Sequence, residues 1–169
     1  MRFGVLTISD RSSQGVRPDA SGPALQTAVE KQGWQVVKYA IIPDDLTTIC
    51  VTLASWCDTG EYDILLTTGG TGFAPRDVTP EATVQVVDKL TPGIPEAMRQ
   101  ASLAVTEHAM LSRAAAGIRG KTLIINLPGS PKAAIENFHT ISPVLQHAID
   151  LIQGNPESEG EHSKGDRKA

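Results

Sequence analysis

Aromatic side chains are scarce in this sequence: Phe, Trp and Tyr together make up 4% of 169 residues. A core must then rest mainly on Val, Ile, Leu and Ala. Binding of single-stranded nucleic acid by base stacking is disfavoured, because it uses aromatic platforms. Basic charge is not in excess. Fifteen Lys and Arg face nineteen Asp and Glu, a formal net charge of −4. The positive footprint that draws nucleic acid or an anionic membrane is therefore missing. Long apolar runs are missing too. Stretches free of formal charge, such as 46–57, are too short to cross a bilayer, which takes about 20 apolar residues. The opening MRFGVLTISD shows no basic region followed by an apolar run, so a cytoplasmic location is expected.

Cysteine is nearly absent. Cys50 and Cys57 are seven positions apart, which on a helix separates them by roughly 10 Å, too far for a disulfide. Two buried thiols in a reducing compartment are expected. The four histidines, His108, His139, His147 and His162, show no zinc spacing with cysteine or acid. No Gly-x-Ser-x-Gly nucleophile elbow is present. No Gly-Lys-Ser/Thr phosphate loop or spaced dinucleotide fingerprint is present either.

What remains is an ordinary globular composition with 40% hydrophobic residues. A chain of this size buries roughly 68–70% of its unfolded surface and needs no disulfide or metal to hold it. One domain is expected over 1–153. Residues 154–169, GNPESEGEHSKGDRKA, are nearly devoid of apolar groups and read as a disordered polar tail. The body alternates strand and helix patterns. Strands are expected at 3–8, 34–42, 63–67 and 121–126, with a short antiparallel edge strand over 114–118. Helices are expected from a Ser21 cap to Gln32, from an Asp45 cap over 46–57, from Thr79-Pro80 to Leu90, and from Pro95 or Glu96 to Ala104. Two more are expected, 130–138 and 143–153, each opened by a proline. Such alternation predicts a three-layer α/β/α fold with a mostly parallel open sheet and helices on both faces.

In sheets of this kind ligands bind beyond the carboxyl ends of the strands. The residues there are Ser9-Asp10-Arg11, Pro43-Asp44-Asp45, Thr68-Gly69-Gly70-Thr71-Gly72 with Arg76-Asp77 close behind, and Asn126-Leu127-Pro128-Gly129-Ser130. Turns are rich in such residues for structural reasons alone; four at one edge point to a site. Gly69, Gly70 and Gly72 can take positive φ and let a backbone approach a ligand, and the exposed amides of such a loop bind phosphate or carboxylate. Ser130 reads equally as a plain helix cap or as part of an anion site at a helix N-terminus. Asp44 and Asp77 beside phosphate-binding loops suit Mg²⁺, which takes one or two carboxylates plus substrate phosphates. Asp45 reads as a helix cap. Asp10 and Arg11 read equally as site or structure. Arg76 is a candidate phosphate partner or a solvated turn residue. Arg99 and Arg113 are candidate further contacts.

The order and spacing of three motifs carry a resemblance. Thr67-Thr68-Gly69-Gly70-Thr71-Gly72, Arg76-Asp77-Val78-Thr79-Pro80-Glu81-Ala82 and Asn126-Leu127-Pro128-Gly129-Ser130-Pro131 resemble the molybdopterin adenylyltransferase family, MogA-type enzymes related to the gephyrin G domain. Ile8-Ser9-Asp10-Arg11, Ile42-Pro43-Asp44 and Leu111-Ser112-Arg113 with Ala116-Gly117 fit as well. The resemblance covers about 1–153. It implies a homotrimer, Mg²⁺ as cofactor, and transfer of AMP from ATP to molybdopterin, with Asp44 and Asp77 as the functional aspartates and metal ligands. A downstream molybdenum insertase is an implied partner. The stretch between the last two helices is shorter than in some bacterial relatives, and the polar tail has no clear counterpart. Two rival readings stand beside it: a non-catalytic molybdopterin-binding or carrier protein on the same fold, and a generic nucleotide hydrolase.

Overall fold

A computed structural model describes residues 1–155 of the chain. The expected tail from 156 onward lies outside the described residues. Six strands, β1 (Arg2–Ile8), β2 (Gln35–Ile42), β3 (Ile64–Thr68), β4 (Lys89–Leu90), β5 (Ala116–Arg119) and β6 (Thr122–Leu127), form one sheet in the order β2-β1-β3-β6-β5-β4. β2, β1, β3 and β6 are parallel; β5 runs antiparallel to β6 and β4 antiparallel to β5. β3 and β6 are buried along their whole length and β1 from Phe3 onward, as parallel strands covered on both faces should be.

Strand alternation divides the core in two. Phe3, Val5, Ile64, Leu66, Leu123 and Ile125 point to one face, under helices α2 (Ser21–Lys31), α5 (Gly93–Leu103) and α6 (Pro131–Gln153). Leu6, Ile8, Leu65 and Ile124 point to the other, under α3 (Leu46–Asp58) and α4 (Thr79–Val86). The few aromatics anchor both layers. Phe3 stacks on Trp34 at 5.4 Å between ring centroids, with Phe138 edge-on to both, and Trp56 stacks on Tyr62 at 5.6 Å.

Several local expectations are corrected. Helix α2 is not capped by Ser21, which lies inside it; the carboxylate of Asp19 accepts from the Ser21 and Gly22 amides instead, at 3.0 and 3.2 Å. Helix α4 stops at Val86, because Lys89 and Leu90 pair with β5. The two helices expected over 130–153 are one, with Pro143 inside it. Proline removes the bond to the carbonyl four residues back; that carbonyl, on His139, accepts the Ser142 hydroxyl at 3.2 Å. The short helix α1 (Asp10–Ser13) and the 3-10 turn Glu107–Leu111 carried no signal long enough to read. The helix caps Asp45 and Ser130 and the antiparallel strand near 114–118 are where expected.

Candidate active site

The parallel strands deliver their carboxyl ends to one edge. β1 is followed at once by Ser9, whose hydroxyl accepts from the Ser12 amide and caps α1. β2 ends next to Asp44. The two loops lock reciprocally: the Asp10 amide donates to Asp44 Oδ2 at 2.7 Å and the Asp44 amide to Asp10 Oδ1 at 3.0 Å. Arg76 closes a bidentate pair on Asp10 at 2.9 and 3.0 Å. Those bonds from Arg76 hold the Asp10 carboxyl below its ordinary range. Burial pushes the Asp44 carboxyl above its range, and the charges of Asp10 and Asp77 act in the same direction.

The glycine loop follows β3. Gly69 and Gly70 take φ of +104° and +63°; Gly72 does not take a positive φ, which corrects that expectation. A Cβ on Gly69 would overlap the Ile8 carbonyl oxygen, and one on Gly72 would lie 2.9 Å from Asp77 Oδ2. The loop is pinned from several sides. Gly69 N–H donates to Leu127 O at 3.2 Å, Thr68 Oγ1 to Pro128 O at 2.7 Å, and Thr79 Oγ1 to Gly69 O at 2.9 Å. Ser130 caps α6, whose positive end opens at the same edge.

Ser9, Asp44, Thr68, Gly69, Gly70, Asp77, Gly129 and Ser130 line one cleft of about 630 Å³. Thr71, Gly72 and Pro128 line an adjoining recess of about 290 Å³, with Met98, Val105, Leu111 and Ala114 among its walls. Asp10, Arg11 and Arg76 line neither. Arg76 is bound to Asp10 with its side chain 62% exposed, and Arg11 is exposed on α1. Arg99 lines the recess and donates to Ala114 O at 3.2 Å. Asn126 is fully buried: its Nδ2 donates to Thr67 and Thr83 hydroxyls at 3.0 and 2.8 Å, and its Oδ1 accepts from Ala115 N–H at 3.1 Å.

Two charged residues of the cleft escaped the sequence reading, Arg17 and Asp19. Burial would raise the Asp19 carboxyl; bonds from Thr7, Tyr39, Ser21 and Gly22 overcome that and hold it below its range. The Tyr39 hydroxyl is pushed up to about 12 by burial and by Asp19. An Asp two positions before a helix was the available signal, but Ser21 competed for the role of cap. Cys50 and Cys57 are free thiols away from the cleft, and burial pushes the Cys57 thiol up to about 12. Neither is poised as a nucleophile.

Among the described residues no group of three or more His, Cys, Asp or Glu converges on a metal position. The cleft instead offers two hard oxygen donors, Asp44 and Asp77, in a crowd of negative charge. That donor set fits Mg²⁺, which completes its shell with phosphate and water.

A family model described as "Probable molybdopterin binding domain" matches residues 4–147. The chain is 45% identical over 157 residues to a molybdopterin adenylyltransferase of Helicobacter pylori strain J99, covering 92% of this chain and 89% of that protein. It is 46% identical over 165 residues to gephyrin of Dictyostelium discoideum, covering 92% of this chain but spanning only 23% of that longer protein. Among solved structures, the molybdopterin biosynthesis enzyme MoaB of Thermus thermophilus superposes with a TM-score of 0.86 at 45% identity, over 91% of this chain and 97% of that one.

Proposed function

The chain belongs to this molybdopterin-binding family, and from that premise we propose that it is a molybdopterin adenylyltransferase, transferring AMP from ATP to the terminal phosphate of molybdopterin with release of pyrophosphate. The observation that carries the reading is the meeting of Asp44, Asp77, the Gly69-Gly70 turn and the capped end of α6 in one cleft.

The molybdopterin phosphate is already anionic at neutral pH, so no protein base has to activate it. The obstacle is bringing two polyanions together. Asp44 and Asp77 would hold Mg²⁺, which when bound supplies neutralising charge to the phosphates. Arg76 cancels the charge of Asp10 beside them, leaving Asp44 and Asp77 as the pair available to a divalent cation. Gly69 N–H is engaged by Leu127 O. The amides of Gly70 and of Lys132, the N–H left free in the first turn of α6 once Pro131 has none and Ser130 takes that of Ala133, are therefore the donors for phosphate oxygens. Thr68 and Thr79 donate their hydroxyl hydrogens to Pro128 O and Gly69 O within the loops, whereas the Ser9 hydroxyl accepts from Ser12 and keeps its hydrogen for a ligand in the cleft.

ATP, Mg²⁺, a homotrimeric assembly, a cytoplasmic location and a downstream molybdenum insertase as partner all belong to this proposal. No helix among the described residues is long and apolar enough to cross a membrane. Incubation with molybdopterin, ATP and Mg²⁺ tests it directly. Adenylylated molybdopterin and pyrophosphate in equal amounts are expected. Binding of molybdopterin without product would identify a carrier, and ATP hydrolysis without adenylylation would identify a nucleotide hydrolase.

A further inference from the structure

Asp77 sits at the end of a small turn that closes on itself. The Asp77 amide donates to Ala74 O at 2.9 Å, and the Ala74 amide donates to Asp77 Oδ2 at 2.9 Å. Both bonds lie inside the turn and tie it to nothing else, so holding it against the rest of the fold takes a partner from outside. One side chain far away in sequence is that partner. Arg113 lies between the 3-10 turn and β5. Its amide donates to Thr71 O at 2.9 Å and its Nε to Gly72 O at 2.6 Å. Its Nη2 donates to the carbonyl oxygen of Asp77, and its Nη1 pairs with Glu81 in the first turn of α4. Entry, exit and following helix are held by one guanidinium. Arg113 lies with Phe73, Ala74 and Pro75 on another surface of the turn and does not line the cleft. Its cation serves carbonyl oxygens and Glu81.

We infer that Arg113 is a positioning residue for adenylyl transfer, acting through Asp77 by fixing the 72–77 turn against β5 and α4. This rests on the reading that Asp77 serves the reaction. The planar fork of arginine reaches several acceptors in a fixed geometry; the single ammonium of lysine keeps the charge but not the fork.

The test is Arg113→Lys made alone and together with Asp77→Asn, with Glu81→Gln as the comparison variant. Adenylylated molybdopterin is assayed with ATP and Mg²⁺, and amide hydrogen exchange is followed over 72–78. Arg113→Lys should lower kcat by about 10- to 100-fold, the scale of a small misplacement of a reacting group, and change the KM for ATP by less than about threefold. In the Asp77→Asn background the same change should cost less than about threefold, because residues acting as a unit are not additive. Exchange over 72–78 should quicken while β1 and β3 keep their protection. Glu81→Gln keeps both carbonyl bonds and should keep most of the rate. If the lysine variant does not fold, Arg113→Gln takes its place. Equal losses in both backgrounds, or unchanged exchange over 72–78, overturn the inference. Full activity of Asp77→Asn alone would refute the assignment of Asp77, and action through it; quickened exchange would then report the grip on the turn by itself.

Discussion

Replacing Gly70 by Ala puts the smallest side chain into the candidate site. Gly70 has φ +63°, where an L-residue costs about 1–2 kcal/mol. The added Cβ would overlap Thr79 Oγ1 and lie 3.1 Å from Asp44 Oδ1. The Thr79 hydroxyl donates to Gly69 O, a bond worth about 0.5–1.5 kcal/mol net. Strain and the lost bond together come to roughly 2–3 kcal/mol. For a domain of this size that lowers Tm by roughly 5–10 °C. Gly33 separates backbone strain from intrusion. It has φ +76° and open space where its Cβ would be, so Gly33→Ala should lose only about 1–2 kcal/mol and no activity. Gly70→Ala should also lose adenylyl transfer by about 100-fold, since it displaces Asp44 and the loop amide together. Calorimetric melting and the adenylylation assay on both variants, below the lower Tm, decide the matter. Equal activity in the two variants would refute the idea that the Gly70 turn belongs to the site.

Asp77→Asn should reduce transfer at least about tenfold, or roughly 1.4 kcal/mol of transition-state stabilisation, with molybdopterin binding retained; undiminished turnover would rule out the assigned role. Asp44 titrates above its unfolded value, so ionising it costs stability as pH rises through the raised value. Asp44→Asn should therefore raise Tm at neutral pH while lowering transfer, and a fall in both would contradict this. The same shift places the acid limb of activity above the ordinary carboxylate range. Added Mg²⁺ should move that limb to lower pH, because cation and proton compete for Asp44; a limb indifferent to Mg²⁺ would count against the metal assignment. Asn126→Ala strands Thr67, Thr83 and the Ala115 amide and should destabilise by about 3 kcal/mol, near 1 kcal/mol per lost bond, as urea unfolding would measure.

Much of the fold was legible because its signals are local. The apolar runs of β1, β3 and β6 and the caps Asp45 and Ser130 depend on neighbours within about one helical turn. The strand-end rule then placed Asp44, Asp77, Gly69, Gly70 and Ser130 at one edge, and these residues line the cleft. Pro143 misled for the same local reason: the sequence shows the missing amide but not the Ser142 hydroxyl that occupies the freed carbonyl. Only the tertiary structure decided what each polar residue does at that edge. Arg76 neutralises Asp10 across 66 positions, Asp19 gathers Thr7 and Tyr39, and Arg113 holds a turn 36 positions earlier. These partnerships follow from the order β2-β1-β3-β6-β5, which brings distant loops side by side. A hydrogen bond needs its partner within about 3 Å, and no periodicity along the chain records which distant residue the sheet will bring that close.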